Sequence, residues 1–426
     1  MSQEKRGKFA MRLGLGSGVF GVVLVVAGCS SSDVGSEVDS NVDSAMDSTV
    51  DLVDLGVDSG DSEVDSGDVP PTPSSAPVLS AGHWSTCYTT PERTRCWGEL
   101  PLFEDDPFTP FVVEGLTGAT QVAHDGYFHL CAILADGSVG CWGRNRSGQL
   151  GREPEDALLP FERVVGVSEA VALDVGHGFT CAVVADGGVY CWGANAQGQL
   201  GRPVAAHRIG AEVAEPVPQR VADLPPATDV ACGSAHACAR LADGTVRCWG
   251  AGGSGELGQE RAIDENGEWS MHAPVNPMLS DVKTIRTTSE STCALLDDGT
   301  VHCWGRYEFG IDLVEAPDRC TNGIVCLLTP RRLPGIDGLT ELQIGGRYVC
   351  GQKQGGELVC FGPGSGPGTP SLGEASPPPF TQFALGRRHL CVLTPDRRVL
   401  CMGDGTHGQF GPETDWQDDF VELVRP

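Results

Sequence analysis

The sequence predicts an all-β protein, a seven-bladed β-propeller whose blades are four-stranded antiparallel sheets. Three observations carry that expectation: a sevenfold internal repeat, a cysteine pair at near-constant separation in each copy, and no helix-period apolar pattern after residue 78.

The repeat is plainest in three stretches. Residues 129–151 read HLCAILADGSVGCWGRNRSGQLG, residues 179–201 read FTCAVVADGGVYCWGANAQGQLG, and residues 236–258 read HACARLADGTVRCWGAGGSGELG. Weaker copies begin at Cys87, Cys293, Cys350 and Cys391, and the steps between leading cysteines run from 41 to 57 residues. Each copy reads as four short strands. In the third, the β-branched runs Phe161 to Val165 and Val171 to Val175 end at Gly166 and Gly176, and Thr180 to Val184 and Gly188 to Trp192 flank the hairpin signal Ala185-Asp186-Gly187. Antiparallel units arranged radially form a propeller, which leaves only short, protected edges. A linear β-solenoid is the competing architecture, with rungs that are usually shorter.

Ring closure follows from the same pattern. Copies two to six open with a strand such as Phe161-Glu162-Arg163-Val164, whereas the first has only Pro-rich sequence there. The tail Phe420 to Val424 has the missing pattern, so it is expected to supply a strand to the first blade.

The cysteines read as staples. Cys131/Cys141, Cys181/Cys191, Cys238/Cys248, Cys293/Cys303, Cys350/Cys360 and Cys391/Cys401 are ten residues apart, and Cys87/Cys96 are nine apart. A three-residue loop 185–187 with Gly187 left-handed sets Cys181 opposite Cys191. Directly opposed residues share a face with Cβ atoms about 4.5–5.5 Å apart, close to what a disulfide spans. A two-residue Pro91-Glu92 turn does the same for the nine-residue pair. Each bridge closes a short loop, so about 2–3 kcal/mol is an upper estimate. Metal sites favour tighter C-x₂₋₄-C clusters. Cys320 and Cys326 fall in an insertion and are expected to pair, and Cys232 is left as a buried, inert thiol.

The string D-G-x-V-x-C-W-G-x-N-x-x-G-Q-L-G, preceded by Gly-x-x-His, resembles the repeat of the regulator-of-chromosome-condensation family, with cysteines added. The resemblance covers nearly all of residues 78–426 and implies that family's seven-bladed propeller. The last two copies depart from it, with Phe361 and Met402 in place of Trp. The family includes guanine-nucleotide exchange factors and secreted enzyme-inhibitor propellers, so the fold fixes no partner.

Residues 1–28 read as a signal peptide: Lys5, Arg6, Lys8 and Arg12, then an apolar run from Leu13 to Ala27 that is short for a membrane span. Val26-Ala27-Gly28-Cys29 resembles a bacterial lipobox, which implies cleavage before Cys29 and acylation of its thiol. Ser30 after it favours an outer membrane or cell surface over an inner membrane. Residues 29–77 read as a disordered tether with twelve carboxylates, no Lys or Arg, and a Pro-rich exit. No stretch of it matches a calcium-binding loop.

Residues 78–426 carry 25 basic against 44 acidic side chains, a balance of −19 that repels phosphate backbones and argues against nucleic acid. No G-x-S-x-G, H-E-x-x-H or phosphate-loop string occurs. His83, His129, His177, His236 and His389 recur just before the first cysteine of five copies and are expected near the central channel or between blades. Trp97, Trp142, Trp192, Trp249 and Trp304 are expected to pack on the adjacent disulfide. The repeat is broken at 202–218, 259–277 and 306–330, and such insertions map to loops on one face. The second holds Glu260, Asp264, Glu268 and Trp269, the expected partner-binding residues.

The resulting expectation is a monomeric, lipid-anchored recognition or scaffold module with no enzyme activity, cofactor or metal. It would bind a protein or glycan through its loops and touch the membrane through its lipid alone. The alternatives are an inhibitor of an exported enzyme, and then a propeller lyase or hydrolase.

Overall fold

A computed structural model describes residues 76–99, 109–204, 214–259, 270–310, 313, 317–320, 323–363, 377–409, 411 and 415–423. Residues 68–426 form one compact unit. Residues 1–75, with the expected signal segment, Cys29 and most of the expected tether, lie outside the described residues.

The described residues form seven antiparallel sheets and no α-helix. The third blade shows the plan. Ala170–Gly176 is innermost, followed outward by Phe179–Val184, Val189–Ala194 and Ala214–Arg220. Five blades have these four strands, the fifth adds Asp318–Arg319 at its outer edge, and the sixth shows three among the described residues. Second strands such as His129–Leu134 are buried on both faces, because each blade is covered by two neighbours. The outer Glu155–Arg163 has only half-buried and exposed residues. The apolar core therefore lies between blades.

The hairpins put the cysteines face to face. Gly187, at φ 80°, closes the loop after Val184, and the register sets Cys181 opposite Cys191. In the first blade Thr90 N–H donates to Arg93 O at 2.8 Å across Pro91-Glu92, setting Cys87 opposite Cys96. Seven hairpin disulfides result, one per blade. In blades one to four they are Cys87–Cys96, Cys131–Cys141, Cys181–Cys191 and Cys238–Cys248. In blades five to seven they are Cys293–Cys303, Cys350–Cys360 and Cys391–Cys401. Their Cα–Cα distances are all 4.1–4.2 Å, as directly opposed positions require. Cys320 bonds Cys326 across the extra hairpin of the fifth blade. Cys232 is free and buried.

Each tryptophan packs on the disulfide of the preceding blade instead of its own. Trp192 shares a core cluster with Cys131 and Cys141, Trp249 with Cys181 and Cys191, and Trp304 with Cys238 and Cys248. The expected contact of Trp304 with its own neighbour Cys303 is thereby corrected: Cys293 and Cys303 cluster with Phe361 of the next blade. Cys350 and Cys360 in turn cluster with Met402, not with the adjacent Phe361. The reason is the strand's alternation, which turns consecutive residues to opposite faces of the blade. The indole N–H also reaches back a blade: Trp192 Nε1 donates to Gln149 O at 2.9 Å and Trp249 Nε1 to Gln199 O at 2.9 Å. The Gly-Gln-Leu-Gly turn is thus an acceptor for the next blade's indole.

The expected closure of the first blade by the tail is overturned. Trp416–Glu422 is the outer strand of the seventh blade, with Val421 opposite Cys401, and the first blade takes its four strands from residues 78–112. The error was one of phase. A repeat looks the same wherever it is cut, and Phe161-Glu162-Arg163 belongs to the outer edge of the second blade, paired with Gly140 and Cys141. No strand is missing from the first blade. The ring closes by packing: Trp97 clusters with Cys391 and Cys401, and Gln382 accepts from Leu79 N–H at 3.0 Å while donating to Pro77 O at 2.7 Å.

Candidate functional site

The antiparallel order sorts the connections by face. Hairpins such as 185–187 lie on one face, which we call lower. Loops between first and second strands, such as His177-Gly178, lie on the upper face with the connections from third to outer strands. All three stretches where the repeat is broken are connections of that second kind, so they leave from the upper face. Glu260, Asp264, Glu268 and Trp269 lie outside the described residues.

At the centre of the upper face is a depression of about 530 Å³, ringed by the loops that follow the inner strands. Its rim is built by close backbone approach. A Cβ on Gly176 would stand 2.3 Å from Gly233 O of the next blade, and one on Gly345 only 1.9 Å from Gly386 O. Glycine is therefore required at these two approaches. The second blade carries Asp125 instead. Its Oδ1 accepts from the N–H groups of Tyr127 and Phe128 at 2.9 and 2.8 Å, and Oδ2 faces His129 Nδ1 at 3.7 Å. Burial pushes this carboxyl up, but His129 and the two N–H groups outweigh it and hold Asp125 below the ordinary range.

The five recurrent histidines divide into two groups. His129, His236 and His389 are buried and bond the threonine before the first cysteine of the next blade: Thr180 at 2.9 Å, Thr292 at 3.0 Å and Thr86 at 3.0 Å. Burial lowers His236 to about 4 and His389 to about 3. His83 and His177 instead stand at the rim. Burial, helped by the nearby Arg387 charge, lowers His83 to about 4.

The rim has an aromatic half and a charged half. Through blades one to three, ring centroids run His83 to Tyr127 at 4.7 Å, Tyr127 to His177 at 5.8 Å and Phe128 to His177 at 4.5 Å. Trp84 is stacked on His407 at 4.0 Å and covered by the Arg387 guanidinium at 4.8 Å. On the opposite side Arg306 pairs with Glu290 at 2.7 Å and Glu308 at 2.6 Å, and Arg347 reaches Glu308 at 3.4 Å. Arg388 pairs with Asp404 at 3.1 Å. Deeper in the channel, burial raises Asp174 to about 7 although Cys232 N–H donates to it at 2.7 Å. Burial also pushes the Cys232 thiol well above its usual range.

Two descriptions of the regulator of chromosome condensation (RCC1) repeat match the chain, one over residues 186–240 and the other over 121–149, 170–199, 227–256 and 380–409. The chain carries RCC1 repeats. The match at 170–199 starts on the inner strand of the third blade, the phase in which its hydrogen bonds are made. The chain is similar to the mitochondrial RCC1 domain-containing protein RUG3 of Arabidopsis thaliana, 29% identical over 43% of this chain and 43% of that protein. It is 28% identical to the ultraviolet-B receptor UVR8 of the same plant, over 67% of this chain and 65% of the receptor. The chain therefore spans less than two thirds of either relative. Among solved structures, Prp20p from Saccharomyces cerevisiae, described with its binding properties to Gsp1p and histones, shares the fold at a TM-score of 0.59 and 19% identity, over 82% of this chain and 87% of that one. Trp84, Tyr127, Phe128, Arg387, Glu290 and Arg306 escaped sequence reasoning. Tyr127, Phe128 and Arg387 fill variable places of Gly-x-x-His, Trp84 and Glu290 stand in the same loop of the first and fifth blades, and the usable signal was that this one loop varies.

Proposed function

We propose that this protein is a recognition or scaffold module of the RCC1-repeat type, exported, lipid-anchored through Cys29 and held off the membrane by its acidic tether. It binds a protein or glycan partner through the upper face and performs no chemistry on it. One observation carries the reading: the aromatic and arginine rim lies on the face from which the three repeat-breaking connections leave, while the lower face presents the short, regular hairpins. Function on a repeat scaffold sits where loops depart from the repeat. The relatives agree in kind, since one is a receptor and the other solved propeller is described by what it binds.

The test is photo-cross-linking on intact cells from positions on the two faces. Cross-linkers beside Tyr127 and Arg347 are expected to capture a partner, and ones beside Asp186 and Asp243 to capture none. Capture from the lower face alone would overturn the reading. For the anchor, Cys29→Ser is expected to release the protein into the soluble fraction.

A further inference from the structure

The geometry points to a ligand for the central depression: a saccharide carrying a carboxylate, its anion held by Arg387 and its ring laid on the aromatic half of the rim. This rests on the upper-face reading above and names what that face recognises. The first support is electrostatic. Glu290, Glu308 and Asp404 each have an arginine partner at the rim. Among the described residues Arg387 has no carboxylate partner, and Trp84 and the bond from its own N–H to His83 O fix its place. A guanidinium fixed in this way presents a planar fork that matches a carboxylate.

The second support is shape. Tyr127 and His177 are stacked on one another at 17° and are incompletely covered, so they leave aromatic surface open beside that cation. A depression of about 530 Å³ has the size of a small-ligand site. Its walls are mostly polar: backbone of the glycine rim, Asp125, Thr288, Ser289 and Gln343. Sugar hydroxyls find partners on such a wall and an apolar ligand does not. A folded protein surface would rest on the rim without filling the centre.

The experiment uses the full chain and titration calorimetry with oligogalacturonate, against glucose, inorganic phosphate and a short polyglutamate. Binding of the oligogalacturonate alone is expected. Arg387→Gln and Tyr127→Ala are each expected to weaken it at least about tenfold, about 1.4 kcal/mol. Arg387→Lys keeps charge without the fork and should fall between. Arg163→Gln, on the lower face and paired with Asp136 at 2.6 Å, is the unaffected control. Melting curves of each variant separate loss of the site from loss of the fold. No oligogalacturonate binding, undiminished binding by Arg387→Gln, or equal binding of phosphate or polyglutamate would each overturn the assignment. A partner cross-linked to the upper face alongside any of those results would leave the recognition reading standing and remove the saccharide.

Discussion

Thr86 Oγ1 lies 3.0 Å from His389 Nε2, a buried hydrogen bond between residues 303 positions apart. It joins the last blade to the first. The same bond occurs at two internal joints, His129 with Thr180 and His236 with Thr292, but there the polypeptide also connects the blades. At the seam it does not, so packing and hydrogen bonds alone hold the ring. Thr86→Val keeps the shape and strands the imidazole nitrogen in a buried site, at about 1–3 kcal/mol. Hydrogen exchange is expected to accelerate first in the strands Val78–Ala81 and His389–Leu393. Thr292→Val should give a more uniform loss, and identical exchange patterns would remove the seam's special status.

Acid should loosen two of these joints, those of His236 and His389. His236 and His389 have folded values of about 4 and about 3, against about 6.5 in an unfolded chain. The folded state therefore binds the proton less readily than the unfolded one. The stabilisation is complete above pH 6.5 and is lost as pH falls toward those folded values, by an amount on the order of a few kcal/mol. Denaturant midpoints measured from pH 7 to pH 4 should fall, and His389→Gln should flatten part of that slope.

How much of this was legible in the sequence depends on whether a feature survives cyclic permutation of the repeat. The hairpin register is local, so the spacing of Cys181 and Cys191 determined it. Where a blade begins is not local, and the tail was misplaced for that reason. The His–Thr joints were half visible. His-x-Cys in one copy is followed by Thr-Cys in the next, at residues 129 and 180, 236 and 292, and across the ends at 389 and 86. The histidines draw attention by recurring, while the threonines look like ordinary strand residues. The tryptophans were placed on the wrong disulfide because sequence proximity to their own cysteines says nothing of the neighbour one blade back. The rim residues were least legible, since a depression at the centre of seven loops exists only once the ring has closed.

Glu256 gives a third prediction. Gly148-Gln149-Leu150 and Gly198-Gln199-Leu200 recur as Gly255-Glu256-Leu257, and Glu256 Oε2 accepts from Ser254 N–H at 2.7 Å where Gln149 and Gln199 accept the equivalent N–H groups. Burial raises Glu256 to about 7. A raised carboxyl binds its proton better when folded, so it costs stability as pH rises from its unfolded value, near 4.5, through about 7. Glu256→Gln removes that cost and should raise the melting point at pH 8, by about 1–3 kcal/mol in stability. At pH 4 the two proteins should melt alike, and a gain of equal size at both values would point to packing rather than ionisation.

The outer edges of the blades yield the last prediction. An outermost strand presents unpaired N–H and C=O groups that can pair with another chain. Here proline interrupts several of them: Pro160, Pro216 and Pro218, and Pro274 stand in the outer strands of blades two to four, and Pro330 in the stretch of the fifth blade's Val325–Arg332 that Asp318–Arg319 does not cover. In blades two to five these prolines fall where the register slips against the third strand. The outer strand of the seventh blade, Trp416–Glu422, has no proline. Its slipped stretch holds Asp418, Asp419 and Phe420, and both aspartates are exposed. Two such edges brought together antiparallel would set carboxylates against carboxylates, so charge does there what proline does elsewhere. The double variant Asp418→Thr, Asp419→Thr keeps strand propensity and removes the repulsion. Light scattering should show it associating at concentrations where the parent stays monodisperse, and replacing Phe420 with Pro in that background should reverse the association. If the double variant stays monodisperse, the carboxylates are not what guards this edge.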